Sequence, residues 1–157
     1  MNVRIVLIMV SVLLLDQLTK FFATTYLSYA ESIELLPFFS LTLLHNTGAA
    51  FSFLADAGGW QQILFLILAV GVSGFCIWTL RRETLSPLTS AGYVLLIPGA
   101  LGNAIDRVYF GYVVDFIHFH WNQWSFPAFN IADVSITVAA CALLMGWYLD
   151  ARHRTKL

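Results

Sequence analysis

The chain has 157 residues, 59% of them hydrophobic and only 11% charged, with a mean hydropathy of +0.78 and a formal net charge of −1. Soluble domains carry roughly 25% charged residues, so a globule bathed in water is excluded and a single transmembrane domain over residues 1–157 is expected, with no room for a separate soluble one. The two cysteines, Cys76 and Cys141, stand in separate apolar segments with no CxxC. This argues against thiol redox chemistry or a cysteine-based zinc site and leaves both as small core residues.

The first apolar segment covers about 5–26. Its start, Arg4 followed by the run Ile5–Leu15, imitates a secretory signal. A small-x-small cleavage site should then follow, but the sequence continues Asp16-Gln17-Leu18-Thr19-Lys20 within a helical stretch. An uncleaved transmembrane helix is expected, with Asp16 and Lys20 spaced i,i+4 on one face, acid first. Residues 27–59 are too polar and broken to span. Leu35–Leu54 is rich in Phe, Leu and Thr with partial alternation, which suggests strands or a short hairpin at the membrane interface, with a turn at Asn46-Thr47-Gly48.

The second span, about 61–80, includes 18 uncharged residues from Ile63 to Leu80, fronted by Trp60 and stopped by Arg81-Arg82. The third, about 88–107, holds Gly92, Pro98, Gly99 and Gly102, small residues suited to close helix contact. The fourth, about 131–149, carries a single charge, Asp133, and ends in an aromatic pair, Trp147-Tyr148. The expected fold class is an all-α membrane protein: four transmembrane helices with a small extracytoplasmic β or interfacial region at the outer face.

Six of the eight basic residues (Arg4, Arg81, Arg82, Arg152, Arg154, Lys156) fall on one side of this topology, which makes that side, and both termini, cytoplasmic. Helices one and three then travel outward and helix four returns. Asp16, Lys20, Asn103, Asp106, Arg107, Asp115, Asn130 and Asp133 therefore gather at the outer boundary, while the inner halves of the helices are bare. Ionisable groups within a membrane are costly and call for a reason.

Asp115 and Asp133, 18 residues apart, are the candidates for a paired-carboxylate site. In such a site one acid keeps a proton while the other acts as general base on water. Each has a structural rival. Asn130-Ile131-Ala132-Asp133 has the form of a capping box, and Asp115 can be read as a loop carboxylate wetted at the interface. Asp106-Arg107 can be a solvated helix end, although an acid there opposes the dipole and calls for a partner. Asp16 and Lys20 can be a structural pair. A metal site on Asp115, His118 and His120 lacks an HExxH and a clear fourth ligand. Gly71-Val72-Ser73-Gly74 has the form GxSG but offers Ser73 no base, so small-residue packing is expected there, as it is for Val138-Ala139-Ala140-Cys141.

Taken together, DQLTK at Asp16–Lys20, HNTGAAF at His45–Phe51, GNAIDR at Gly102–Arg107, VVDFI at Val113–Ile117 and FNIAD at Phe129–Asp133 resemble the lipoprotein signal peptidases (signal peptidase II), bacterial membrane aspartic proteases. The resemblance covers nearly the whole chain. It implies that Asp115 and Asp133 are catalytic, and that Asp16, Lys20, Asn46, Asn103, Arg107 and Asn130, with Asp106 among them, shape or stabilise the site. It implies substrates that are prolipoproteins bearing a diacylglyceryl group on the cysteine after the signal peptide, cleaved on the amino side of that cysteine. It also implies globomycin-type inhibitors bound at the dyad, membrane lipid as surroundings, the bacterial inner membrane as location, and a strand cradle with a nearby helix in 27–59. No metal, cofactor or nucleic-acid partner is expected. A different class remains open on the residues alone: a small proton-coupled transporter or membrane assembly protein, since intramembrane acids also mark proton pathways. Transporters more often keep such charges near the midplane, within repeats, and no convincing repeat is present.

Overall fold

The computed structural model describes residues 2–48 and 59–154. Its helices are α1 (Val3–Tyr26), α2 (Trp60–Arg82), α3 (Pro87–Phe110) and α4 (Ile131–Arg154), and its strands are β1 (Ser32–Leu36), β2 (Phe39–Asn46), β3 (Val113–Trp121) and β4 (Trp124–Ser125). Each helix has 23 or 24 residues, about 35 Å at 1.5 Å per residue, enough to cross a ~30 Å hydrocarbon core. In lipid a single segment must satisfy its own backbone groups, which a helix does. The outward faces stay apolar, exposing Leu14, Phe21, Ile67, Val70, Val138 and Leu144.

Local signals set the helix ends. Asn2 caps α1, its Oδ1 accepting from the Arg4 N–H at 3.1 Å. Ser86 caps α3 with Pro87 at the first helical position, and Gly111 closes that helix at φ +77°. The helix runs unbroken through Pro98.

α3 is the hub. The other three helices all pack on it and α1 also packs on α4, whereas α2 has no comparable contact with α1 or α4 among the described residues. A core of Cys76, Tyr93, Ile97 and Leu143 joins α2, α3 and α4, and a second core of Ala23, Leu27, Leu43, Val114 and Phe116 seats the sheet on α1. The α3–α4 contact depends on small residues. A Cβ on Gly99 would lie 2.7 Å from Ile136 Cγ1 and 2.8 Å from the Ala132 carbonyl oxygen.

The four strands form one antiparallel sheet, in order β1-β2-β3-β4. It stands where α1 and α3 end and α4 begins, so the polar groups of those three ends meet beneath it.

Three expectations are corrected: the place of Asp115, the packing of Gly71 and Gly74, and the burial of Cys141. The β1–β2 hairpin turns at Pro37-Phe38, where Leu36 pairs with Phe39, and the expected turn at Asn46-Thr47-Gly48 stands at the end of β2. Pro37 has no N–H and cannot extend β1, while Asn46 ends β2 by accepting the Gly48 N–H on Oδ1 at 3.0 Å. Asp115 lies in a nine-residue strand, β3, rather than in a loose connection. Val113 and Val114 are buried and paired to β2, and Phe116 is buried with its N–H donating to the Phe129 carbonyl, so the segment folds inward. Gly71 and Gly74 face open space, with nothing within 4 Å of an added Cβ, and Cys141 is exposed. Packing in those two stretches falls to their neighbours instead: Ser73 is buried, and Ala139 is fully buried with its carbonyl oxygen 3.1 Å from where a Cβ on Gly92 of α3 would lie. Cys76 is buried as expected. The helix expected near the strands, and Ala49, Ala50 and Phe51 of the HNTGAAF stretch, lie outside the described residues.

Gly99→Ala is therefore expected to lower stability by about 1–3 kcal/mol through overpacking. Gly71→Ala should be neutral or slightly stabilising, since alanine is the better helix former. Thermal unfolding of the two variants in detergent checks the contrast.

Candidate functional site

The site grows from one helix start. Asn130 and Asp133 cap α4 reciprocally: Asn130 Oδ1 accepts the Asp133 N–H at 2.9 Å, and Asp133 Oδ2 accepts the Asn130 N–H at 3.3 Å. The capping box is real and does not exhaust either side chain. Asn130 Nδ2 donates to Asp115 Oδ1 at 2.7 Å, so one amide ties the cap of α4 to the carboxylate on β3. Asp133 Oδ1 accepts from Asn103 Nδ2 of α3 at 2.8 Å, and Asp115 Oδ2 accepts from Asn46 Nδ2 of β2 at 3.1 Å.

Behind this pair lies a buried ionic knot. Lys20, only 3% exposed, spends its three N–H groups on Asp16 Oδ2 (2.9 Å), Asp106 Oδ2 (2.9 Å) and Asn103 Oδ1 (3.0 Å). The remaining acceptor capacity of the two acids fixes the backbone. Asp16 Oδ1 takes the Ala132 N–H at the start of α4 (2.8 Å), and Asp106 Oδ2 also takes the Val114 N–H at the start of β3 (3.0 Å). Asp106 is thus no solvated helix end, and its partner is Lys20.

Gln17, which the sequence reading did not single out, completes the knot. Its Nε2 lies 3.2 Å from Asp16 Oδ2, 3.3 Å from the Gly102 carbonyl oxygen and 3.1 Å from Asp106 Oδ1. The available signal was a second polar side chain beside Asp16 in an apolar span.

Arg107 stands apart. It forms no ion pair among the described residues. Nη2 donates to the Gly48 carbonyl at 2.7 Å and Nη1 to the Asn103 carbonyl at 3.3 Å, and the guanidinium lies 4.6 Å from the Phe65 ring centroid. All nine residues expected at the site therefore meet in one region.

Asp115 is 2% exposed, which removes the reading of a wetted loop group. Burial, and then the neighbouring charge of Asp133, push its pKa from 3.8 up to about 7, against the opposing hydrogen bonds from Asn46 and Asn130 and the positive charge of Lys20. Four carboxylates (Asp16, Asp106, Asp115, Asp133) face two cations (Lys20, Arg107) in this region. A proton held on the Asp115–Asp133 pair relieves part of that imbalance. One acid that keeps a proton beside one that is ionised is the arrangement that general acid–base hydrolysis needs.

The alternative chemistries lose their footing. Residues alternate across a strand, so His118 and His120 point to the face of β3 opposite Asp115, where His118 meets Thr42 Oγ1 at 3.2 Å and Ser125 Oγ at 2.7 Å. The Ser73 hydroxyl is buried in α2 without a hydrogen-bond partner and so has no base.

The family model described as signal peptidase (SPase) II matches residues 8–149. The chain is 48% identical over 145 residues to the lipoprotein signal peptidase of Acinetobacter baylyi, covering 92% of this chain and 81% of that one. It is 50% identical over 137 residues to the lipoprotein signal peptidase of Shewanella woodyi, covering 87% and 78%. A solved bacterial membrane enzyme superposes with a TM-score of 0.85 at 32% identity, covering 94% of this chain and 89% of that one.

Two outcomes are expected. Asp115 binds more protons in the folded state than in the unfolded one between pH 3.8 and about 7, so stability is full below that window and is lost as the pH rises through it. The Tm of Asp115→Asn minus that of the parent should therefore increase from about pH 5 to about pH 8, whatever the constant offset. Lys20→Met should cost about 3–5 kcal/mol, because it strands Asp16 and Asp106 as unpaired buried charges. Thermal melts across pH check both.

Proposed function

The chain belongs to the signal peptidase II family, and from that membership we propose that Asp115 and Asp133 are the catalytic pair of a membrane aspartic endopeptidase formed by residues 1–157 as one domain. The family cleaves signal peptides from prolipoproteins. On our reading the substrate carries a diacylglyceryl group on the cysteine that follows the signal peptide, and the bond cut is on the amino side of that cysteine. The observation that carries the reading is the Asn130 side chain, which joins the two acids in a buried network while each keeps its own supporting amide.

The ionised acid takes a proton from water as its oxygen attacks the scissile carbonyl carbon. The protonated acid donates to the carbonyl oxygen, and a tetrahedral diol forms. The acid that gained the proton then delivers it to the amide nitrogen while the other acid takes a proton back from a diol hydroxyl, the C–N bond breaks to leave a carboxylic acid and an amine, and the pair returns to its singly protonated state. Asn46, Asn103 and Asn130 hold the carboxylates in place. Asp16, Lys20 and Asp106 hold the elements that carry them, and Arg107 supplies fixed positive charge at the rim.

The orientation follows from the basic residues: both termini cytoplasmic, the sheet and dyad at the extracytoplasmic face of the bacterial inner membrane. A lipid-anchored cysteine brings its scissile bond to that boundary, with its acyl chains along the apolar helix faces. Globomycin-type inhibitors are expected to occupy the same place. The transport alternative has no observation left in its favour.

The test is cleavage of a synthetic diacylglyceryl-modified prolipoprotein by purified protein in detergent. The parent should cut just before the modified cysteine. Asp115→Asn and Asp133→Asn, folded and accumulated, should lose activity by roughly 10³-fold or more. Normal turnover by either variant would overturn the assignment.

A further inference from the structure

The helices α2, α3 and α4 carry polar residues at both of their ends. α2 and α4 both pack on α3, with no comparable contact between them among the described residues, so they stand on either side of α3. Asp133 of α4, Arg107 of α3 and Phe65 of α2 stand at the outer end, where the guanidinium sits over the ring. At the opposite end of the same three helices a cavity of about 370 Å³ is lined by Glu83, Ser86, Thr89, Tyr93, Trp147 and Asp150.

This cavity has the chemistry of a cation site. The Ser86 and Thr89 hydroxyls donate to Asp150 Oδ2 at 3.2 and 3.4 Å, and Oδ1 has no partner among the described residues. The Glu83 carboxylate has none either. Neither acid forms an ion pair among the described residues, although Arg81 and Arg82 directly precede Glu83 and Arg152 follows Asp150 closely. Arg152 instead stacks on Tyr148, 5.6 Å from its ring centroid.

A second observation is independent of charge. Tyr93 is 8% exposed and lines the cavity, yet its hydroxyl makes no hydrogen bond among the described residues. The hydroxyl is not an orphaned buried atom but opens to the cavity, so it offers a donor and an acceptor to an incoming group. Trp147 adds an aromatic wall of the kind that attracts ammonium and guanidinium groups.

The length fits one occupant. Asp133 and Asp150 are 17 residues apart on α4, about 26 Å along the axis. A signal peptide runs from a positively charged n-region through an apolar stretch of about 7–15 residues to the cleavage site, and with short flanks such a helix spans a similar distance.

We propose that this cavity receives a Lys or Arg side chain from the n-region of the substrate's signal peptide, so that the signal helix is held at its cytoplasmic end by Glu83, Tyr93 and Asp150 while its other end lies at the dyad. The inference rests on the function and orientation proposed above. Glu83 and Asp150 are substrate-positioning residues here and take no part in the chemistry.

The experiment compares two lipidated prolipoprotein substrates, one with a Lys/Arg n-region and one with those residues changed to Gln. Each is cleaved by the parent, by Glu83→Gln, and by Glu83→Gln combined with Asp150→Asn. Neutralising the n-region should raise KM for the parent about five- to tenfold with kcat unchanged. The double variant should show the higher KM with both substrates, and its dyad should still turn over at the parental kcat. Glu83→Gln, which removes an exposed carboxylate that makes no bond, tests the idea even if Asp150→Asn destabilises the start of α3.

Equal loss on neutralisation in parent and variants would overturn the proposal, as would parental KM in the variants on the basic substrate. If the variant effect instead followed added phosphatidylethanolamine and ignored the n-region, the cavity would be a lipid ammonium site and the proposal would fail. Failure of the parent to cleave either substrate would sink the enzymatic reading itself, a result distinct from cleavage that is indifferent to n-region charge.

Discussion

The arrangement around Asp115 and Asp133 depends on one ammonium group. Lys20 sits on an apolar helix with its charge removed from solvent, a costly position unless every N–H is matched. It is matched three times, by Asp16, Asp106 and Asn103. Each partner then passes the constraint on. Asp16 holds the first turn of α4 by the Ala132 N–H, and Asp106 holds the start of β3 by the Val114 N–H. Asn103, with its oxygen committed to Lys20, presents its Nδ2 to Asp133. The two elements that carry the acids are thus located by the same buried cation, and the glycines of α3 let the helices come close enough for it. A Cβ on Gly102 would lie 2.5 Å from Asp16 Oδ2.

This explains which parts were legible in the sequence. Apolar length, the i,i+4 spacing of Asp16 and Lys20, and the Asn130–Asp133 cap are local facts, and local facts survive folding. So the four helices and the clustering of polar groups at one end could be read directly. Register could not. Leu44 lies opposite Asp115 only because β2 and β3 pair across a separation of about 70 residues with a shift between Leu41 and Leu44, and nothing in VVDFI announces that partner. The same limit applies to Gln17, whose role depends on Gly102 and Asp106 of another helix, and to Gly71 and Gly74, whose neighbours depend on which way α2 faces.

The two acids are not equivalent, and the difference bears on mechanism. Asp115 is almost wholly enclosed, whereas Asp133 is half-buried and so more open to incoming water. Asp115 accepts from two amides, one on each oxygen, yet burial and the charge of Asp133 still raise its pKa to about 7. A protonated carboxyl keeps acceptor capacity for Asn46 and Asn130 while gaining a donor, so the amide scaffold holds in either state. On the proposed assignment Asp133 is the acid that incoming water meets first, and Asp115 is the one whose ionised form is disfavoured by enclosure. The enclosing sheet sets this difference. Without β2 and β3 folded over it, Asp115 would be a solvated carboxylate, and the burial that raises its pKa would be gone.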